Sequence, residues 1–357
     1  MLTPELRMVA WEITRACNLK CAHCRASADK PNDPEALPLN RCMKIVDQIL
    51  EVGRPVIILT GGEPLLHRDV FSIAGYASSK GLRVVLGTNG TLLDRETSRH
   101  LMECGVTLAG VSLDYPVPER QDTFRGVQGA FARALQGIEC ARAEGLSIQI
   151  NSTITQMNVE CLDELLQLAV DVGASAFHPF FLVPTGRAKD LESMQLPSQE
   201  YERVLGWVYD RQLEYGGNLF IKPTDAPHYQ RVIRQKRNTV VAELSCLSQG
   251  IQGHRLGRGC LAGTGFCFIS HTGVVQGCGY LSLPAGRLAD QSFRDIWWNS
   301  PLFHDLRDLS KLKGKCGSCE FKVVCGGCRA RAYEATGDYL EAEPYCVYQP
   351  TPCGTMP

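Results

Sequence analysis

A chain of 357 residues, 44% apolar and 21% charged, has room for two domains or for one large barrel with an appendage. Its formal net charge of −1 supplies no global basic field, so no nucleic-acid partner is expected. No apolar run approaches the roughly 20 residues a membrane helix needs, and the opening MLTPELRMVAWEITRAC lacks the charged-then-apolar plan of a signal peptide, so no membrane association and a cytoplasmic location are expected.

Residues 8–184 alternate short β-rich runs with amphipathic stretches. Strands are predicted at 8–14, 56–62, 83–89, 108–114, 147–154 and 177–183. Between them lie patterns such as NRCMKIVDQILEVG, with apolar residues three and four apart and a closing glycine. Strand–helix alternation implies right-handed crossovers and a parallel sheet, and six units suit a six-stranded, partly open barrel. Residues 196–245 read as mostly helical, broken at KPTDAPHYQR (222–231). From 259 the texture becomes rich in glycine and cysteine, with FRDIWWNSPLFHDLRDL (293–309) as the clear helical stretch. The expected organisation is therefore a barrel over 1–215, a bridging region over 216–258 and a cysteine-rich domain over 259–357, with the last boundary falling somewhere in 245–259.

Seventeen cysteines in a chain without secretory features point to metal binding or catalysis and away from disulfides. Cys42, Cys104, Cys140 and Cys161 are scattered through helical-looking segments and read as small buried residues. Twelve more fall at 17/21/24, 260/267/278 and 316/319/325/328, with Cys346 and Cys353 trailing. CxxxCxxC offers three thiolates on a short loop after the first strand. Three thiolates can hold three irons of a [4Fe–4S] cubane and leave the fourth open to a non-protein ligand. A zinc site is the plainer alternative.

The motif ITRACNLKCAHCRA (13–26), followed by TGGEP (60–64), TNGTLL (88–93), SLD (112–114) and DTFRG (122–126), resembles the radical S-adenosylmethionine (SAM) superfamily. The resemblance implies that Cys17, Cys21 and Cys24 bind a [4Fe–4S] cluster whose open iron is chelated by the SAM methionine group. The reduced cluster then cleaves the sulfonium to a 5′-deoxyadenosyl radical. It also implies SAM contacts from Gly61, Gly62 and Glu63, from Asn89, Ser112 and Asp114 at later strand ends, from Arg125 toward the methionine carboxylate, and from His23 near adenine. No side chain is then needed as an acid or base.

The C-terminal cysteines resemble the SPASM extension of that superfamily: Cys260, twelve residues, GVVQGC (273–278), then CGSCEFKVVCGGC (316–328) and Cys346. The second pair encloses two residues where the family pattern has three. By analogy Cys260, Cys267, Cys278 and Cys328 hold an inner auxiliary cluster, and Cys316, Cys319, Cys325 and Cys346 an outer one, giving three [4Fe–4S] clusters in all. One cluster plus a zinc ribbon is the alternative. Cys353 reads as a bystander. The expected fold is thus α/β, a partial (β/α)6 radical SAM barrel with a C-terminal cysteine-rich SPASM-type auxiliary-cluster domain.

Four stretches, WEITRACNLKCAHCRA, KPTDAPHYQR, RGCLAGTGFCFISHTGVVQGCGYL (258–281) and CGGCRARAYEATGDYLEAEPYC (325–346), resemble the heme synthase branch of the siroheme-dependent pathway. That implies oxidative decarboxylation of two propionates of iron-coproporphyrin III to vinyl groups, giving heme b, with a reductant such as flavodoxin or ferredoxin. A tetracarboxylate macrocycle wants cations at its edge and apolar surface on its faces. Arg187, Lys222, His228, Tyr229 and Arg231 are the candidates, and FHPFF adds His178 with aromatic neighbours. A monomer is expected. The rival is a peptide maturase forming thioether or carbon–carbon crosslinks. It would need a leader-binding domain, for which a first strand starting near residue 8 leaves no room. A non-catalytic iron–sulfur electron carrier would have no use for a three-cysteine site.

Overall fold

A computed structural model describes residues 2–189, 191–243 and 258–351; most of the interval 245–259, and Cys353, lie outside them. Ten strands form one sheet: β1 (Met8–Thr14), β2 (Val56–Gly61), β3 (Val84–Thr88), β4 (Val106–Ser112), β5 (Ser147–Ile154), β6 (Ala176–Phe181), β7 (Phe220–Ile221), β8 (Phe266–Ile269), β9 (Val274–Cys278) and β10 (Leu281–Arg287). Their order is β10-β9-β8-β1-β2-β3-β4-β5-β6-β7. The six predicted strands are present within a few residues of their expected bounds and run parallel. β7 adds a seventh parallel strand on β6.

On the other edge β8 pairs in parallel with β1, and β9 and β10 return as an antiparallel meander. The cysteine-rich region therefore continues the barrel's own sheet. Its helices Phe293–Asn299 and Pro301–Arg307 extend the outer layer, where the Phe293 amide donates to Gln48 Oε1 of the first barrel helix at 2.9 Å.

Alternation along the strands sorts the two faces. Val9, Trp11, Ile57, Leu59, Val84, Leu86, Ala109, Val111, Ile148, Ile150, Phe177 and Phe181 are buried beneath the helices. In helix Leu39–Leu50 the matching stripe is Cys42, Ile45, Val46 and Ile49, at the three-and-four spacing of one helix face. The opposite face of the sheet lines the lumen. It carries Glu12 beside Thr60, Gly87 beside Gly110, and the row Ser112, Asn151, His178. Phe220 and Lys222 extend that face past β6, the Lys222 amide donating to Phe177 O at 3.1 Å. Among the described residues no helix is long and apolar enough to cross a membrane.

Candidate active site

The three-cysteine loop leaves the end of β1 and is held from every side. Cys17 N donates to Lys30 O at 2.7 Å, Lys20 N to Arg125 O at 3.0 Å, and Ala22 N to Phe124 O at 2.9 Å. The glycine turn after β2 zips onto its start, with Gly62 N on Thr14 O at 2.8 Å and Glu63 N on Ala16 O at 2.7 Å. A Cβ on Gly62 would lie 2.3 Å from the Ala16 carbonyl oxygen, and one on Gly61 2.4 Å from that of Thr14. Both glycines are there for close backbone approach. Gly62→Ala is expected to displace the loop, and the reconstituted variant should retain well under half of the parent's iron at the loop site, read by iron analysis.

Burial pushes the Cys17 thiol up to about 11, and Cys21 is also raised by burial. Such thiols ionise when a cation shares the pocket, which is what cluster irons supply. The Arg125 guanidinium donates to Cys21 Sγ at 3.6 Å, a charge-assisted contact suited to a ligating thiolate. The loop therefore fits a three-thiolate cluster site.

The residues expected to touch SAM divide into two groups. Glu63 is fully buried, and its carboxylate accepts from Thr88 Oγ1 at 2.8 Å, Asn89 N at 2.8 Å and Leu65 N at 3.1 Å. Burial raises it to about 7. It shapes the β2–β3 turns from within. Asn89 bonds Asn18 Oδ1 on the cluster loop at 2.9 Å, and Asn18 reaches Thr91 Oγ1 at 2.8 Å. Asp114 is ion-paired with Arg125 and accepts from Thr153 N at 2.8 Å. Burial opposes the Arg125 charge, yet Asp114 and Cys21 more than offset it and raise its pKa. These residues brace the strand ends around the cluster loop, and Ser112 is half-buried on the lumen face. His23 stacks on Phe124 at 4.5 Å and is pushed down to about 4 by burial, so its ring is neutral.

The five expected substrate residues do not converge. Arg187 donates from Nε to Cys21 O at 2.8 Å and from Nη2 to Ala28 O at 3.1 Å, so its guanidinium clamps the cluster loop. His228, Tyr229 and Arg231 are buried. Tyr229 bonds Gln212, Arg231 donates from Nη1 to Glu202 at 2.8 Å, and His228 packs edge-on against Tyr201 at 4.9 Å. Each is held within the chain at the start of helix Tyr229–Glu243. Lys222 alone is exposed, on the lumen face.

The auxiliary cysteines gather into two groups. Cys319 and Cys325 are raised by burial and then by the charges of Cys316 and Cys346, and Cys346 by burial and Cys316. Arg329 donates to Cys316 Sγ at 3.7 Å. Cys278 is raised by burial, then by Asp225, Cys328 and Cys260, and Cys328 by burial, Glu343 and Cys260. Cys267 stands apart, raised by burial alone.

Sequence reasoning passed over the polar groups that join these parts. Glu12 is fully buried and ion-paired with Arg25, and His271 Nδ1 lies 3.1 Å from it. Arg25 also donates to Gly279 O at 3.2 Å and lies over Phe268 at 4.5 Å. Arg331 is buried between Glu343, at 3.1 Å, and Tyr201 Oη, at 2.7 Å. Their one sequence signal is charge inside otherwise apolar or cysteine-rich stretches.

The parallel barrel, the three-thiol loop at its carboxyl end and the cysteine-rich sheet extension together define the class. A model of the radical SAM superfamily matches residues 11–172, and one of the SPASM iron–sulfur cluster-binding domain matches residues 260–320. The chain belongs to the radical SAM superfamily and is an enzyme of that type. SAM and a [4Fe–4S] cluster are the cofactors this membership implies. The chain is 47% identical over 349 residues to the AdoMet-dependent heme synthase of Methanosarcina barkeri, covering 98% of each, and 42% identical to that of Nitratidesulfovibrio vulgaris, covering 98% and 95%. Streptococcus suis SuiB bound to S-adenosylmethionine shares the fold at a TM-score of 0.74 and 17% identity, over 97% of this chain and 78% of its own.

Proposed function

We propose that this enzyme converts two propionate side chains of iron-coproporphyrin III to vinyl groups, giving heme b. Each propionate gives up one hydrogen atom, one CO₂ and one electron. The full-length similarity to heme synthases supports the substrate. The observation that carries the oxidative chemistry is Arg25, which joins the cluster loop to Gly279 next to Cys278. An electron acceptor at Cys278 would thus open on the same barrel mouth as the cluster, with the substrate between. We further propose three [4Fe–4S] clusters, one at Cys17, Cys21 and Cys24 and two in the C-terminal domain, and a monomer supplied by a flavodoxin or ferredoxin. Ranges 1–215, 216–258 and 259–357 serve as barrel, bridge and auxiliary domain.

When bound, SAM and the reduced cluster supply a carbon radical that takes hydrogen from unactivated carbon. The chain positions and shields the reacting carbon. Its lumen offers the chemistry a porphyrin edge needs. Phe180 and Phe220 present apolar faces, His178 lies edge-on to Phe220 at 5.9 Å, and burial and the nearby Lys222 push its ring down to about 3. Lys222 brings a cation to a propionate.

Incubating the anaerobically reconstituted, reduced protein with SAM and iron-coproporphyrin III, and following the porphyrin by mass, tests the proposal. Loss of two CO₂ with formation of 5′-deoxyadenosine is expected. Deoxyadenosine without any change in the porphyrin would remove the substrate and return the peptide maturase reading. Lys222→Ala is expected to raise KM for the porphyrin roughly tenfold, the worth of one charge-assisted contact, with substrate-independent SAM cleavage unchanged.

A further inference from the structure

The sheet register separates two cysteines that sequence analogy places in one cluster. Phe268 pairs with Gln276 and Ile269 with Val275 across β8 and β9. Paired residues share a face and neighbours alternate, so Cys278 projects with Gln276 and Phe268 while Cys267 projects with Ile269 and Val275. The pairing of β8 with β1 identifies those faces. Phe268 aligns with Ala10, on the lumen side, and Cys267 aligns with Val9, which is fully buried under the helices. Cys267 is itself fully buried within the apolar core. On its face a Cβ at Gly277 would meet Leu306 at 2.8 Å and Ala262 at 3.7 Å, so that layer is hydrocarbon. The thiol of Cys267 and that of Cys278 lie on opposite sides of one sheet.

Cys260 and Cys328 are the thiols whose charges reach Cys278, and a carboxylate joins them. The segment 222–228 runs along β6, with Thr224 N on Pro179 O at 2.8 Å and Phe181 N on Thr224 O at 3.0 Å, which brings Asp225 to the barrel mouth. Gly259 then packs on that segment so closely that a Cβ would lie 2.5 Å from Pro227 O, setting Cys260 beside it. The carbonyl of Asp225 is bonded by Arg331, three residues after Cys328, and by Tyr201 Oη at 3.2 Å. Its backbone is held left-handed at φ 58°, an uncommon conformation for a side-chain-bearing residue. Its carboxylate oxygen Oδ2 is buried with no hydrogen-bond partner, a costly state for an isolated group. Asp225 is the first charge that Cys278 feels.

We propose that the inner auxiliary site is built from the thiolates of Cys260, Cys278 and Cys328, with the carboxylate of Asp225 at its fourth corner and Cys267 as a core residue. A carboxylate carries the same charge as the thiolate it replaces, so the site's net charge is kept while one corner becomes a harder oxygen ligand. That change tunes the potential of the cluster and makes this the corner most readily exchanged. The inference rests on an auxiliary cluster being present and is independent of the porphyrin. Buried His228 is the competing neighbour, since neither ring nitrogen has a hydrogen-bond partner and Nε2 lies 3.9 Å from Glu343.

The test uses the full chain, reconstituted anaerobically, with Cys17, Cys21 and Cys24 replaced by alanine so that only auxiliary clusters contribute. Iron and sulfide content, electron paramagnetic resonance and a redox titration are then compared. Cys267→Ala is expected to match the parent. Asp225→Asn is expected to lose the inner cluster or to show a three-iron signal when oxidised. Asp225→Cys, restoring four thiolates, should keep full iron and move the inner potential. Loss of a cluster's worth of iron in Cys267→Ala, an unchanged spectrum and potential in Asp225→Asn, or transfer of the effect to His228→Ala would each overturn the assignment. No inner cluster in the parent would overturn both this inference and the auxiliary-cluster reading. Porphyrin turnover, measured separately on the chain with its loop cysteines intact, distinguishes failure of the substrate proposal.

Discussion

Arg125→Met should destabilise the metal-free protein by about 3–5 kcal/mol, the cost of stranding a buried charge, and should move the potential of the loop cluster to more negative values. Both effects come from one guanidinium. Arg125 is nearly sealed from solvent, at 7% exposure, and its ion pair with Asp114 is the positive charge that offsets a fully buried carboxylate at the junction of β4 and β5. Without it Asp114 keeps the Thr153 amide and loses its counter-charge. The same group donates to Cys21 Sγ at 3.6 Å. Removing a donor from a cluster thiolate concentrates charge on sulfur and disfavours reduction. Asp114→Asn added to Arg125→Met should recover part of the stability and none of the potential, because the stranded charge is gone while the donor to sulfur is still missing. Urea denaturation of the metal-free chain reads the first effect and a spectroscopically monitored redox titration the second. Equal recovery of both would show that the potential follows general disorder of the loop.

The barrel was legible because its signals are local. Each parallel strand is a short β-branched run bounded by glycine or a turn, each helix repeats its apolar stripe, and the CxxxCxxC, TGGEP and SLD motifs fall at strand ends where barrel sites assemble. The parallel pairing of β8 with β1 was not legible. Phe266–Ile269 is four residues long, lies more than 250 residues from its partner, and has no alternation that could reveal which face it buries. The position of Cys267 depended on that pairing, so counting thiols along the chain could not separate it from Cys278. Arg187 and Arg231 show the same limit for charge. A sequence offers a cation and is silent on whether a carbonyl or carboxylate elsewhere in the chain already occupies it. Glu63 is the converse: its motif marked the right turn, while its carboxylate is held by its own neighbours.

A second buried carboxylate gives the acid limit of the fold. Glu12→Gln should remove about 3 kcal/mol of stability at neutral pH and nearly nothing at pH 2. Burial alone would raise Glu12, but the His271 hydrogen bond and the charges of Arg25 and Arg15 outweigh it and carry the group from 4.5 down to about 2. A depressed carboxylate stabilises the fold above its unfolded value and loses that contribution as pH falls through its folded value. The difference between parent and variant should therefore be flat above about pH 5, shrink between 4.5 and 2, and vanish below. A tenfold difference in proton affinity between the unfolded and folded chain is worth about 1.4 kcal/mol, which sets the size. Glu63 titrates with the opposite sign. Its rise from 4.5 to about 7 means it favours the fold at low pH and ceases to as pH rises through 7, so Glu63→Gln should differ most from the parent on the alkaline side. Urea midpoints of the metal-free proteins across pH 2 to 8 give both curves. A Glu12→Gln difference that does not shrink in acid would mean that Arg25 and His271 hold the loop to Gly279 and the β8–β9 turn without the carboxylate's charge. The junction between the cluster loop and the auxiliary face would then rest on the Arg25 hydrogen bond to Gly279 and on packing over Phe268.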